Sequence, residues 1–432
     1  MPPLTLSADD AAALVRPVDT VGFGLGPANP HALLRALSAR EDYEDLTLGG
    51  ALLLGLFDVV ARPGVHYRCG FYGPIERLYK QQGADIQLVP AGFRQFAPVL
   101  ERFAPRVMAV QATPPDRDGR CSLSLHYGAT RDALLAAGRD PERLLIVECN
   151  AALPRTTALD GFDNTVPVEL ADVLVESAEP LVALPEPEVT DADAAIAELA
   201  LSYVTDGTTL QTGIGAIPTI VAARLASRDG GDYGVHSEMF TDGLMALHES
   251  GKVTNARKGQ FEGASVTTFA LGSLALYAWL DDNRDVAFGP VSVVNDPSVI
   301  RRNHRFVSIN GAIQVDLYGQ VVADAVGGRQ ISGVGGHEDF VAGADLDTED
   351  RSLVCLRSTA TVGGERRSRI VASLEEGSVV STPRHHTGTV ITEFGAADLA
   401  GKTVRERALA LAAIAHPDDR DELASAAARM DA

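Results

Sequence analysis

The sequence predicts an α/β protein of two open domains with largely parallel sheets, and three observations carry that expectation. Short β-branched or apolar runs alternate with longer helical patterns along the chain, the arrangement of βα units whose helices cover both faces of a sheet. At 432 residues the chain is too long for one ordinary core. Both halves contain a strand-like run followed by a Gly-x-Gly turn, GFGLGP at Gly22–Pro27 and GIGAIP at Gly213–Pro218, an echo that fits two similar domains.

In chain order, Thr20–Gly24 reads as a strand before a helix at Pro30–Ser38, and Asp85–Val89 as a strand before Phe93–Leu100. Val107–Ala112 and Leu144–Cys149 are further apolar strands. At Ser177–Asp191 the composition changes to EPLVALPEPEVTDAD, where Pro180, Pro185 and Pro187 forbid a helix and the acids keep the chain exposed. This places a boundary between domains at 1–185 and 190–432. Beyond it, Ala192–Thr205 reads as a helix, Thr208–Gln211 as a strand, and Thr219–Ser227 as a helix with Pro218 at its first position. Tyr233–Val235 is strand-like and Leu244–His248 helical. Strands are expected at Val286–Phe288, Val291–Val294, Phe306–Asn310, Gln320–Ala323, Leu353–Leu356, Ser378–Val380 and Thr389–Thr392, with a closing helix at Thr403–Ala415.

Composition narrows the function. The chain carries 58 acidic against 37 basic residues, a net charge of −21 that repels nucleic acid and anionic membranes. A phosphorylated ligand is still compatible, because backbone amides at a helix N-terminus bind phosphate without a basic protein. The four cysteines form no CxxC pair and the ten histidines no HExxH, so no metal site is expected. No basic and apolar leader opens the sequence, and the longest apolar run, Gly49–Val60, is broken by Asp58; a cytoplasmic protein with reduced thiols is expected.

The residues that suggest chemistry lie in the second half. In GVHSEMFTDG, Gly234–Gly243, Glu238 stands between a strand and a helix, where a carboxylate is presented as a nucleophile or, more simply, caps the helix. Gly213-Ile214-Gly215 lets backbone N–H groups approach a ligand, or is only a tight turn. Ser332–Gly336, SGVGG, offers successive N–H groups to an oxyanion, or is a flexible turn before a helix at Glu338–Ala342. Asn295, before Asp-Pro, is a turn initiator or an amide donor. His236 either lines the site or is a strand histidine satisfied by the backbone.

Together, GVHSEMFTDG, LQTGIGAIP, VVNDPSVI, SINGAIQVDLYGQV and SGVGGHEDFVAGA resemble the acetyl-CoA hydrolase/transferase family, in particular the 4-hydroxybutyrate CoA-transferase-like branch of class I CoA-transferases. Pro114–Tyr127 and Glu148–Thr156 (ECNAALPRT) fit as well. The resemblance implies two α/β domains with the active site in the cleft between them. It implies Glu238 as the nucleophile that carries a glutamyl-CoA thioester, and Asn295 (side-chain amide) and Gly336 (backbone N–H) as oxyanion donors. Gly213, Ile214, Gly215, Ala216 and Ile217, with Gly333 and Gly335, are implied to hold coenzyme A, which is substrate and covalent intermediate rather than a tightly bound cofactor. The partners implied are an acyl-CoA and a small carboxylate; a homo-oligomer is expected for an enzyme of this size.

Two places depart from the family pattern. GFGLGPANP at Gly22–Pro30 replaces a His-Ala-Cys type of loop that faces the acyl group, and Thr361-Val362 stand where a lysine is expected before Gly363-Gly364, with Arg366 or Arg367 as substitutes. The chemistry expected is ping-pong transfer, in which Glu238, ionised near neutral pH, needs no general base. Hydrolysis of the acyl-CoA on the same scaffold stays open, as does, more remotely, a ligand-sensing α/β protein without turnover.

Overall fold

The computed structural model describes residues 2–344 and 347–430, and the chain divides into two compact units, Met1–Pro185 with Val266–Val294 and Glu186–Ser265 with Asn295–Ala432. In the first unit, β1 (Leu4–Leu6), β2 (Val18–Phe23), β3 (Asp45–Gly50), β4 (Val65–Cys69), β5 (Ile86–Leu88), β6 (Val107–Ala112), β7 (Leu144–Asn150) and β8 (Val173–Ser177) form one sheet, ordered β1-β8-β7-β6-β2-β3-β4-β5. Every neighbouring pair in it is parallel. Successive side chains of β6 enter two different cores, Val107 and Ala109 one, Met108, Val110 and Ala112 the other. A strand covered on both faces has no polar side to show, which is why VMAVQA reads as a nearly unbroken apolar run.

The excursion Val266–Val294 belongs to this unit by its bonds. Strand Val286–Phe288 pairs in parallel with Thr157–Ala158, the Val291 N–H donates to the Gly128 carbonyl at 3.1 Å, and the Tyr277 hydroxyl donates to the Val182 carbonyl at 2.8 Å.

In the second unit, β9 (Thr209–Thr212), β10 (Gly234–Val235), β11 (Phe306–Gly311), β12 (Arg351–Cys355), β13 (Thr389–Thr392) and β14 (Gly395–Asp398) are ordered β10-β9-β11-β12-β13-β14. The first five are parallel and β14 returns antiparallel to β13. Leu353 and Cys355 of β12 point into one core and Val354 into another, so this sheet too is covered on both faces. Its helices start where the sequence supplies caps. Thr190 and Asp193 form a capping box for helix Asp191–Leu201, and Thr403 and Glu406 another for Val404–Ala413.

Three expected elements differ. Val291–Val294 is a helical turn and not a strand, because the Pro290 carbonyl accepts from Val293 and Val294 N–H at 2.9 and 3.0 Å. Ser378–Val380 makes no strand; Val379 is exposed, and its N–H finds a single carbonyl, that of Ala325. Helix Ala216–Ser227 begins earlier than expected, with Pro218 at its third position, where a missing N–H still costs no helical bond. Among the described residues no helix is long and apolar enough to cross a membrane.

Candidate active site

Glu238 stands just beyond the carboxyl end of the second sheet. β10 runs beside β9, the His236 N–H continues the ladder to the Leu210 carbonyl at 3.0 Å, and the Ser237 hydroxyl ties this segment to the Thr212 carbonyl at 3.0 Å. Gly234 opens the segment because the alkyl stem of Lys258 occupies the place of a side chain: a Cβ there would lie 2.4 Å from Lys258 Cγ. Lys258 is wholly buried and its ammonium donates to the Val235 and Ala264 carbonyls at 2.8 and 2.7 Å, with burial lowering its pKa to about 7. His236 does not line the site. It is wholly buried, its Nδ1 lies 3.2 Å from Asn303 Nδ2, and its ring packs against Phe261, Phe306 and Phe340.

Around the Glu238 carboxyl the structure gathers Asn295, Gly336 and an unanticipated residue, Asp339. Asn295 Nδ2 donates to Glu238 Oε2 at 2.5 Å and to Asp339 Oδ2 at 3.3 Å. Asn295 is not the turn initiator; Asp296 caps the next helical turn by accepting from Ser298 N–H at 2.8 Å, which leaves the Asn295 side chain for the carboxylates. With two carboxylates facing it, the amide nitrogen is the end that must point there. Its Oδ1 is buried and has no hydrogen-bond partner among the described residues.

Gly336 owes its identity to contact. A Cβ at that position would lie 1.7 Å from Glu238 Oε2 and 2.3 Å from Asn295 Nδ2, so the carboxylate rests where a side chain would be. Gly335 before it has φ +59°, in the left-handed region. With Gly333 it belongs to the loop that delivers Gly336 and helix His337–Ala344; neither lines the cavity described below.

Burial is the main cause that raises the Glu238 pKa to about 8; the Asn295 bond opposes the shift and the charge of Asp339 adds to it. Withdrawing a carboxyl from water disfavours its charged form, which works against the expectation of a carboxylate ionised without help near neutral pH.

Gly213, Ile214, Gly215, Ala216 and Ile217 line one side of a cavity of about 290 Å³ that opens to solvent at the carboxyl ends of β9, β11 and β12. Gly215, with φ +119°, is the N-cap of helix Ala216–Ser227 and supplies no side-chain cap, so the first helical N–H groups face the opening. The echo at Gly22–Pro27 has no such vacancy. There the buried carboxylate of Glu148 takes the Ala32 and Leu33 N–H groups at 3.1 Å each.

Arg357, which sequence patterning did not single out, lines the same cavity. Asp193 holds it through Nε at 2.9 Å and Nη2 at 2.6 Å; its Nη1 has no partner among the described residues. Arg366 and Arg367, the expected substitutes for a lysine, are engaged elsewhere, with Asp419 at 2.7 and 2.8 Å and with Glu365 at 2.9 Å. Among the described residues no cluster of His, Cys, Asp or Glu could hold a metal ion.

Comparison with known proteins identifies the family. Residues 272–427 match the model of the acetyl-CoA hydrolase/transferase C-terminal domain. Butyryl-CoA:acetate CoA-transferase of Anaerostipes caccae is 34% identical over 96% of this chain and 94% of its own length. 4-Hydroxybutyrate coenzyme A transferase of Clostridium kluyveri is 39% identical over 78% of this chain and 74% of its own. The crystal structure of RipA from Yersinia pestis superposes with a TM-score of 0.89 at 31% identity, covering 99% of this chain and 97% of that one.

Proposed function

The chain belongs to the acetyl-CoA hydrolase/transferase family and is a CoA-transferase, and from that premise we propose that it moves coenzyme A between an acyl-CoA and a small carboxylate through a thioester on Glu238. The observation that carries this reading is the Glu238 carboxyl resting on Gly336 with the Asn295 amide at 2.5 Å. A nucleophile and its oxyanion donors thus lie in contact with one another.

Ionised Glu238 attacks the thioester carbonyl of an acyl-CoA; the C–S bond breaks and CoA leaves as thiolate, giving a glutamyl–acyl anhydride. The thiolate then attacks the Glu238 carbonyl carbon, the anhydride C–O bond breaks, and the first carboxylate departs, leaving the glutamyl-CoA thioester. An incoming carboxylate runs the two steps backwards. Oxyanions form on the acyl carbonyl and on Glu238 itself, and the Asn295 amide and Gly336 N–H are the donors assigned to them. The cavity beside Gly213–Ile217 is assigned to the CoA moiety, with helix N–H groups and Arg357 Nη1 facing its phosphates. Four buried, unpaired thiols fit a reducing compartment, the cytoplasm.

The test is direct. With acetyl-CoA and no acceptor the intact protein gains the mass of CoA less one water, and peptide mapping finds it on Glu238; an adduct on a cysteine or another glutamate rejects the assignment. Adding butyrate then separates transfer from hydrolysis. New acyl-CoA without free thiol marks a transferase; thiol release without an acceptor marks a hydrolase.

A further inference from the structure

We infer that Asp339 is a positioning residue of the reaction: it holds the Asn295 amide toward Glu238 and keeps a negative charge against the free carboxylate that disappears each time Glu238 is loaded. This rests on the glutamyl-CoA reading above.

The geometry is that of one amide shared by two carboxylates. One Asn295 N–H goes to Glu238 at 2.5 Å and the other reaches Asp339 at 3.3 Å, while Asn295 Oδ1 faces no donor among the described residues. Without the Asp339 charge, the amide nitrogen would be turned toward the nucleophile by Glu238 alone, whose own charge is lost on loading. Asp339 is 5% exposed and sits in the first turn of helix His337–Ala344, where the helix dipole favours a negative charge.

Charged groups on the neighbouring elements are occupied differently. Lys258 donates to the Val235 and Ala264 carbonyls, His236 meets Asn303, and Glu338 accepts from Thr382 and His386. His337, on the same helical turn as Asp339, is acted on by Asp324. Among the described residues, the charge of Asp339 acts on Glu238 and disfavours its ionised form, after burial.

The consequence follows from where the electrons go. Ionised Glu238, the form that attacks, carries a full negative charge. When its oxygen bonds the acyl carbon, the electron pair of the broken C–S bond leaves on the CoA sulfur; when that sulfur bonds the Glu238 carbonyl, the pair of the broken C–O bond leaves on the departing carboxylate. Glu238 is neutral in both covalent states and Asp339 is unchanged. The repulsion therefore exists in the unloaded enzyme alone, and it biases the equilibrium toward the loaded one.

Asp339→Asn tests this, because it keeps the shape and removes the charge. Two quantities are measured: the loading constant, from the mass fraction of Glu238–CoA adduct at fixed ratios of acetyl-CoA to acetate, and the pH profile of kcat/KM for acetyl-CoA. The expected result is a loading constant lower by about tenfold and an inflection moved about one pH unit toward acid, a unit of pKa being a factor of ten in equilibrium. Asp339→Glu, which retains the charge on a longer stem, should keep the inflection and lower kcat. An unchanged inflection and loading constant in Asp339→Asn, whatever its melting temperature, overturns the inference, as does an acid shift in Asp339→Glu. Wild-type enzyme that carries no adduct on Glu238 rejects the glutamyl-CoA reading itself, before either variant is compared.

Discussion

Burial raises the pKa of Glu238 toward about 8, and a nucleophilic carboxyl reacts only when ionised, so the state of Glu238 should be visible in both rate and stability. The first expectation is kinetic. kcat/KM for acyl-CoA, which reports the free enzyme, rises with pH and levels above an inflection near 8; a flat profile from pH 6 to 9 would mean that Glu238 is ionised throughout. The second concerns stability, with a definite sign. The folded pKa lies above the ordinary value of 4.5, so the folded protein binds this proton more tightly than the unfolded chain. The stability this group contributes is fully present below about pH 4.5 and is lost as pH rises toward 8. Glu238→Gln has no proton to lose. Its melting temperature should exceed that of the wild type by a margin that widens from pH 5 to 8 and then stays constant; a constant margin across that span rejects the buried-carboxyl account. Asn295→Ala should lower kcat by about 100-fold to 1000-fold if its amide meets an oxyanion. Because Asn295 is wholly buried, a melting curve of the same variant separates lost chemistry from lost folding.

At the scale of elements, the three glycine positions respond to different causes and so make different probes. Gly213 has open space around it and an ordinary φ, so Gly213→Ala should fold as the wild type does. If CoA lies against that loop, the added methyl should raise KM for acyl-CoA by about tenfold and leave KM for the carboxylate unchanged; equal kinetics would return the loop to a plain turn. Gly215→Ala is strained by its φ of +119° whatever binds there, and Gly336→Ala drives a methyl into the nucleophile, so neither isolates a ligand contact. Arg357→Ala extends the test to the far wall. It should weaken acyl-CoA but not acyl-pantetheine, which lacks the nucleotide phosphates; equal losses with both would make Arg357 a strut for Asp193. The same scale shows what could be read without coordinates. β6 and β13 were legible because uncharged runs without glycine or proline stand between clear breaks, and helix Val404–Ala413 because Thr403 and Glu406 announce it. Val291–Val294 misleads for the same reason: its β-branched side chains say strand, while Pro290 sets a helical turn. Glu238, Asn295 and Gly336 are far apart in sequence, and it was the resemblance of their motifs that joined them. Asp339 and Arg357 carried no signal, since an acid in a His-Glu-Asp turn and an arginine after a strand look like ordinary solvated charges.

At the scale of the whole molecule, the proline-rich stretch at Ser177–Asp191 announces the passage from the first unit to the second, but no such proline-rich break stands at the return at Val266. The residues from 266 to 294 are more apolar than those on either side, but apolar character alone does not say which core they join; their allegiance is decided by pairing with Thr157–Ala158, Gly128 and Val182, which no local pattern encodes. This gives a test of where the second unit ends. A fragment of residues 186–432 would carry Val286–Phe288 and Val291 without the strand, carbonyl and core they meet in the first unit. Stranded apolar segments of this kind associate, so the fragment should aggregate. Replacing residues 266–294 in it by a flexible glycine–serine linker should yield a soluble chain with a single cooperative unfolding transition, since lengthening a loop adds little closure entropy. Analytical ultracentrifugation and thermal melts of the two fragments decide the matter. If the fragment that retains 266–294 is the monodisperse, cooperatively melting one, the excursion folds with the second unit and the division of the core between the two units is wrong.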